Sequence, residues 1–443
     1  QKTMEENTSN NRKTAHPIQW VPSAYFAMGM PFVVLNMVVV LMYKGLGVDN
    51  AQITLWTSLI ILPWTLKPLW SPLLEMYRTK KFFVVTTQIV TGITFAAVAF
   101  SLHLPSFFAI SIALLAIIAF SGATHDIACD GVYMTELSET DQAKYIGWQG
   151  AFYNIAKVVA SGGFVYLAGY LINYFGGVPG APSDIVKIAN ENAWGIVMLV
   201  CSVTMIILGL YHIWVLPSRK RIKSSSNAKE QMHELWNVII EFFRKKHITY
   251  YIFFIILYRF AEGFVMKIVP LFLKAARSEG GLGLTEQQIG LYYGTFGAVA
   301  FVIGSILAGY YISAFGLRKT LFSLCCIFNL PFVVYVFLAL YQPENSALIA
   351  GAIAFEYFGY GFGFVGLTLF MMQQIAPGKH QMAHYAFASG IMNLGLMIPG
   401  SLSGTVCDWI GYHDFFIFVM IATIPSFLMT YFVPFSHTDT AKG

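Results

Sequence analysis

The residues best able to do chemistry in this chain are acids and bases set inside apolar runs. The stretch from Pro105 to Leu137 reads PSFFAISIALLAIIAFSGATHDIACDGVYMTEL, and its long hydrocarbon run leads into His125, Asp126 and Asp130. The two aspartates are four residues apart, so a helix puts them on one face, one turn apart. A carboxylate at membrane depth is costly. It has to face a wet cavity, a partner or a proton path, and two readings stay open: the lining of a transport cavity, or a salt bridge that only ties helices together. His125 and Asp126 as a pair offer too few ligands for a metal, and no metal or other cofactor is expected.

Other charges fall at similar depth, reckoned at about 1.5 Å per helical residue. They are Lys67, Arg259, Glu262 and Glu356; Lys157 is expected beyond mid-depth in the fifth segment, where substrate or an acid of the fourth could meet it. Arg259 and Glu262 are three apart and can pair with each other. Glu356 has no charged neighbour in its own segment and is the candidate for carrying a proton. Lys67 is a partner for Asp126 or Asp130, or a counter-charge for an anionic ligand. Lys267 falls nearer the outer edge, where its stem could snorkel. Polar neighbours that fit the same lining are Asn154 and Asn393, at an offset of 239, with Gln149, Tyr153, Tyr360 and Gln373. Trp64 and Trp148 are candidates for stacking on a sugar or base.

The elements that hold these groups follow from composition. Of 443 residues, 57% are hydrophobic and 11% charged, against roughly a quarter charged in a soluble chain. The chain is read as an all-α integral membrane protein. Spanning runs fall at about 22–43, 52–75, 82–102, 106–135, 143–172 and 193–215, then 248–273, 286–313, 319–341, 346–375, 382–409 and 413–434. That is about twelve helices in two sets of six: a first bundle over 20–216, a linker over 217–247 and a second bundle over 248–435. The runs are too long for strands and lack period-two alternation. With the N-terminus cytoplasmic, Lys and Arg divide about 19 to 4 in favour of the inner segments, so both termini are expected inside. The linker opens with the basic stretch SRKRIKSSSNAKE and continues as MHELWNVIIEFF, whose spacing suits a helix lying on membrane lipid. The polar start, Gln1 to Pro17, has no leader-like run. Five cysteines sit in apolar segments without metal spacing, and no disulfide is expected.

A repeat connects the halves. SPLLEMYRTKK, Ser71 to Lys81, returns at an offset of 238 as GYYISAFGLRK, Gly309 to Lys319. Both resemble the G-x-x-x-D-R-x-G-R-K loop of the major facilitator superfamily, which that family places after its second and eighth helices. The first copy has Ser71 for the leading Gly and Glu75 for the Asp; the second keeps Gly309 and Gly316 but has no acid. The resemblance implies a gating loop, with Glu75, Lys80 and Arg318 as its charges.

PLWSPLLEMY (Pro68 to Tyr77), FSGATHDIACDGVYMTEL (Phe120 to Leu137) and YNIAKVVASGG (Tyr153 to Gly163) look like helices two, four and five of the AmpG-like muropeptide permeases and the related acetyl-CoA transporters. LYRFAEGF (Leu257 to Phe264) and FEYFGYGFG (Phe355 to Gly363) are similar to helices seven and ten of those permeases. His125 stands where those families have Gln. The permeases also carry two helices more at the C-terminal end than the twelve read here. The resemblance implies the major facilitator fold and a proton-driven importer of an anhydro-muropeptide, working by alternating access as a monomer in a bacterial inner membrane. The acetyl-CoA branch would imply an anionic thioester instead. The implied partner is a small molecule, with no nucleic acid, and the proton gradient is the driving force. Enzyme activity is not expected: nucleophile elbow, phosphate loop and metal cluster are all missing, and a membrane hydrolase built on Asp126 and Asp130 is the remote alternative.

Overall fold

A computed structural model describes residues 15–70, 74, 78–137, 139–218 and 228–437. Their secondary structure is helical throughout, without a strand among the described residues. A bilayer leaves a spanning chain little choice, since every backbone N–H and C=O must be satisfied inside its own segment.

In chain order the spans are Pro17–Gly45, 50–69, Lys80–Ser101, Phe107–Glu136, 139–174 and Ser183–Val215, then 248–274, 286–315, Leu317–Tyr341, Ser346–Ile375, 381–410 and 412–431. The last two run on from each other and bend at Gly411, whose φ of 78° only glycine adopts readily. The sixth span starts at Ser183, ten residues before its purely apolar run. Its first turns are amphipathic: Asn190 is buried, and Lys187 pairs with Glu191 at 3.9 Å toward the exposed side. Hydropathy alone reads such turns as loop. The second copy of the repeated loop turns at Gly316, again at positive φ. In the first copy, Thr79 caps the third span and the stem of Lys80 packs on Gly131; Glu75 lies outside the described residues.

Several spans are locally irregular. The second is broken at 60–61 and tightens to a 3₁₀ turn at Lys67–Leu69, beside Pro68. The seventh is interrupted at Arg259 (φ −99°, ψ 8°), between Ile248–Tyr258 and Phe260–Lys274. π-helical turns occupy Val34–Val38, Val158–Phe164, Gly290–Phe296 and Met371–Ile375. Such turns concentrate at functional sites.

The linker helix, Ala228–Phe243, buries Val238 and Phe242 against the start of the eleventh span, with the Phe242 ring 5.7 Å from His384 and 5.6 Å from Phe387. Trp236 and Phe243 stay exposed. All five cysteines are free thiols.

The spans are even in number, so Pro17, where the first begins, and Tyr431, where the last ends, lie on one side. The two halves meet mainly on the other side, through the first and seventh, second and eleventh, and fifth and eighth spans. There Asn50 Nδ2 donates to Tyr412 Oη at 3.3 Å, Thr54 Oγ1 accepts from Gly404 N at 3.1 Å, and Ser161 Oγ donates to the Gly294 carbonyl at 3.3 Å. The fifth and eighth backbones are so close that a Cβ on Gly294 would lie 2.1 Å from the Ser161 carbonyl oxygen. Small residues permit that approach, as they do at helix contacts in membranes generally.

Candidate functional site

Between the halves lies a cavity of about 300 Å³. Its walls are largely aromatic and aliphatic, with polar groups from both halves. The first half contributes Asn36, Asn154, Lys157 and Ser161; the second contributes Arg259, Lys267, Tyr360 and Asn393. The π-helical turns of the first, fifth and eighth spans all reach this wall, supplying Asn36, Ser161 and Tyr293.

Arg259 sits at the break in the seventh span. Its guanidinium forms two bonds to Glu262, Nε to Oε2 at 2.6 Å and Nη2 to Oε1 at 2.7 Å. Nη2 also donates to Tyr360 Oη at 3.4 Å, and the group lies 5.0 Å from the Phe364 ring centre. The pair is buried, with side chains 4% and 3% exposed. Lys157 places its ammonium 4.4 Å from the centre of the Phe301 ring, across the junction of the halves. Lys267 is buried and donates to the carbonyls of Asn36 (3.2 Å) and Thr57 (3.4 Å). It does not snorkel: its span packs against the first half there, so the ammonium turns inward.

The cavity wall therefore carries three cations and no carboxylate among the described residues. One cation, Arg259, is matched by Glu262 just behind the wall. Lys157 and Lys267 have no carboxylate within ion-pairing distance among the described residues. The arrangement can receive an anion, with amides and tyrosines beside it to donate or accept hydrogen bonds.

The acids read from the sequence are placed elsewhere. Asp126 is enclosed in the first half, where Oδ2 accepts from Trp64 Nε1 at 3.0 Å and lies 3.8 Å from Lys67 Nζ. Its Oδ1 is buried without a hydrogen-bond partner. Asp130 accepts from Tyr25 Oη at 2.8 Å. Glu356 is buried in the second half and accepts from Tyr335 Oη at 2.7 Å. Trp64 packs edge-on against Phe32, and Trp148 is exposed and stacked on Phe152. Gln149 and Gln373 are not on the cavity wall. Arg318 lies over the Phe435 ring at the mouth of the ninth span.

Asn36 on the wall escapes sequence reasoning, having no counterpart at the repeat offset as Asn154 has in Asn393; Ser161 is legible only as part of the small-residue contact Ser161-Gly162-Gly163. His125, legible in the sequence, joins polar groups of the first half that are not: Gln88, His212 and Ser23. His125 Nε2 is 2.9 Å from Gln88 Nε2, Gln88 Oε1 accepts from His212 Nδ1 at 2.8 Å, and His212 Nε2 is 2.8 Å from Ser23 Oγ. Where the resembling families have Gln, His125 is thus held by a glutamine from the third span.

Two bundles of apolar spans around a shared cavity, largely apolar with polar groups from both halves, describe a multi-pass membrane transporter. The sequence matches the profile of the Major Facilitator Superfamily over residues 23–373 and 255–442, and the chain belongs to that family, a family of transporters rather than enzymes. A Rickettsia conorii protein carrying the name AmpG 4 is 21% identical over 429 residues, covering 91% of this chain and 93% of that one. Among solved structures, a D-xylose–proton symporter superposes with a TM-score of 0.71 at 11% identity, covering 94% of this chain and 97% of that one. The nucleoside transporter NupG superposes at 0.66 and 14% identity, over 94% and 97%. These structural likenesses show the fold.

Proposed function

We propose that the protein is a proton-coupled secondary transporter that carries an anionic small molecule by alternating access, as a monomer in a bacterial inner membrane with both termini cytoplasmic. The observation that carries the reading is the cavity wall, where Lys157 of one half and Lys267 and Arg259 of the other meet without a carboxylate on the wall among the described residues. Transporters built from paired repeats bind their cargo at such a junction, near mid-membrane. On this topology the closed side is the outer one and the structure is inward-facing.

An anhydro-muropeptide is the first cargo we infer. The AmpG name of the relatives supports it, and so do its carboxylates and its sugar, which suit cations, amides and aromatic walls. Acetyl-CoA, also anionic, is the alternative. At about 300 Å³ the cavity is at the small end for ligand sites, so either cargo needs the halves to part further. Asp126, Asp130 and Glu356, off the wall, are better suited to protons and to conformational pairing than to direct cargo contact, with Lys67 as the movable counter-charge.

The test is counterflow in proteoliposomes. Labelled anhydro-muropeptide should exchange intact with an internal pool, and acetyl-CoA should be tried beside it. A cargo returned hydrolysed, or no exchange above empty vesicles for any anionic candidate, would sink the reading.

A further inference from the structure

We propose that Lys267 is a latch holding the halves shut on the side away from the termini, and that an anionic group of the cargo releases it by taking over the ammonium. The inference rests on the alternating-access reading above.

The geometry is specific. Lys267 belongs to the seventh span, in the second half, yet both its acceptors belong to the first half: Asn36 on the first span and Thr57 on the second. Both carbonyls lie where a helix is irregular. At the break in the second span, Ile61 N turns to the Ser58 carbonyl at 3.1 Å. The Thr57 carbonyl therefore lacks the donor that a continuous helix would supply four residues on. Asn36 lies within the π-helical turn Val34–Val38. At Thr57 the ammonium thus satisfies a carbonyl that the broken helix sets free, and with Asn36 it makes both its bonds across the junction.

The eleventh span passes close by at Gly400, where a Cβ would stand 2.8 Å from Ser58 Oγ and in ordinary contact, 3.5 Å, with Lys267 Cγ. Parting the halves on this side must break both bonds and take the ammonium from its two protein acceptors. Neutral carbonyls are weak acceptors for an ammonium compared with a carboxylate or phosphate. Lys267 also lines the cavity, so a cargo anion can reach it and exchange for the carbonyls. Such a ligand binds better once the latch is open, and that difference is what shifts a conformational equilibrium. A neutral molecule of the same shape has no such leverage.

The experiment uses the full chain in detergent with spin labels at Val178 and Glu344. These are exposed loop positions on the latched side, one in each half. Without cargo, the native protein should give one short distance. Lys267→Gln should add a longer one, with the open-to-closed ratio raised about tenfold, as expected for losing one charge-assisted hydrogen bond. Lys267→Arg, which keeps charge and donors, should stay closed. Lys267→Met serves where the glutamine variant does not fold. Native distances in both the Gln and Met variants would overturn the latch. Added to native protein, anhydro-muropeptide as free acid should raise the longer distance, and its methyl ester should not. An equal response to both, or none to the acid, would overturn release by the anion. Counterflow by native protein separates the two readings: intact exchange with unmoved distances sinks the latch and leaves transport standing.

Discussion

Lys157 of the fifth span lies over the ring of Phe301 of the eighth, with 4.4 Å between the ammonium and the ring centre. The contact joins the two halves across the cavity and gives Lys157 an aromatic face where an ion pair would otherwise be expected. A cation held this way is stabilised only modestly, so it remains available to an anion. Lys157→Gln should fold normally and weaken binding of an anionic cargo by about ten- to a hundredfold, the weight of a hydrogen bond to a charged group. The apparent affinity from ligand-dependent thermal shifts measures this.

Arg259 and Glu262 behave differently, because each already neutralises the other in a buried site. Removing either partner strands a charge and should cost about 3–5 kcal/mol of stability. Arg259→Met combined with Glu262→Leu should recover most of that loss. Melting temperatures of the two single variants and the double variant in detergent decide it, and a double variant no more stable than either single would contradict this account of the pair.

Gly294 sets how closely the fifth and eighth spans approach. A methyl group there would sit 2.1 Å from the Ser161 carbonyl oxygen. Gly294→Ala should separate the halves on the side away from the termini and slow exchange strongly. As an overpacking change it should cost about 1–3 kcal/mol in stability. Exchange rates at native level would show that the contact is dispensable.

Glu356 accepts from Tyr335 away from the cavity wall, which fits proton handling better than cargo contact. Glu356→Gln should abolish uphill accumulation under a pH gradient and leave counterflow intact. Loss of both together would assign Glu356 a structural or cargo-binding role instead.

Much of this was readable from the residues, and the remainder fails for one physical reason. Run lengths locate the spans, and depth along a span points to Asn154, Arg259, Tyr360 and Asn393, which share a cavity; Lys157, expected beyond mid-depth, lines it too. Asp126, Asp130 and Glu356 have comparable depth but point into their own halves. A helix that is apolar all round carries no stripe to say which face looks where, so depth is legible and direction is not. π-helical turns add to this for residues within and beyond them, such as Ser161 in Val158–Phe164. Lys267 was misread for a related reason. Distance from the span's end suggests an edge residue, but only the packing of the first and second spans buries it.

The most direct test of the central claim, that the cavity carries an anion, is counterflow of one molecule in two charge states. Proteoliposomes holding the native protein should exchange anhydro-muropeptide as its free acid and exclude its methyl ester, and Lys157→Gln combined with Lys267→Gln should abolish the difference. Exchange of the ester at the same rate as the acid, or undiminished exchange of the acid by the double variant, would contradict the account.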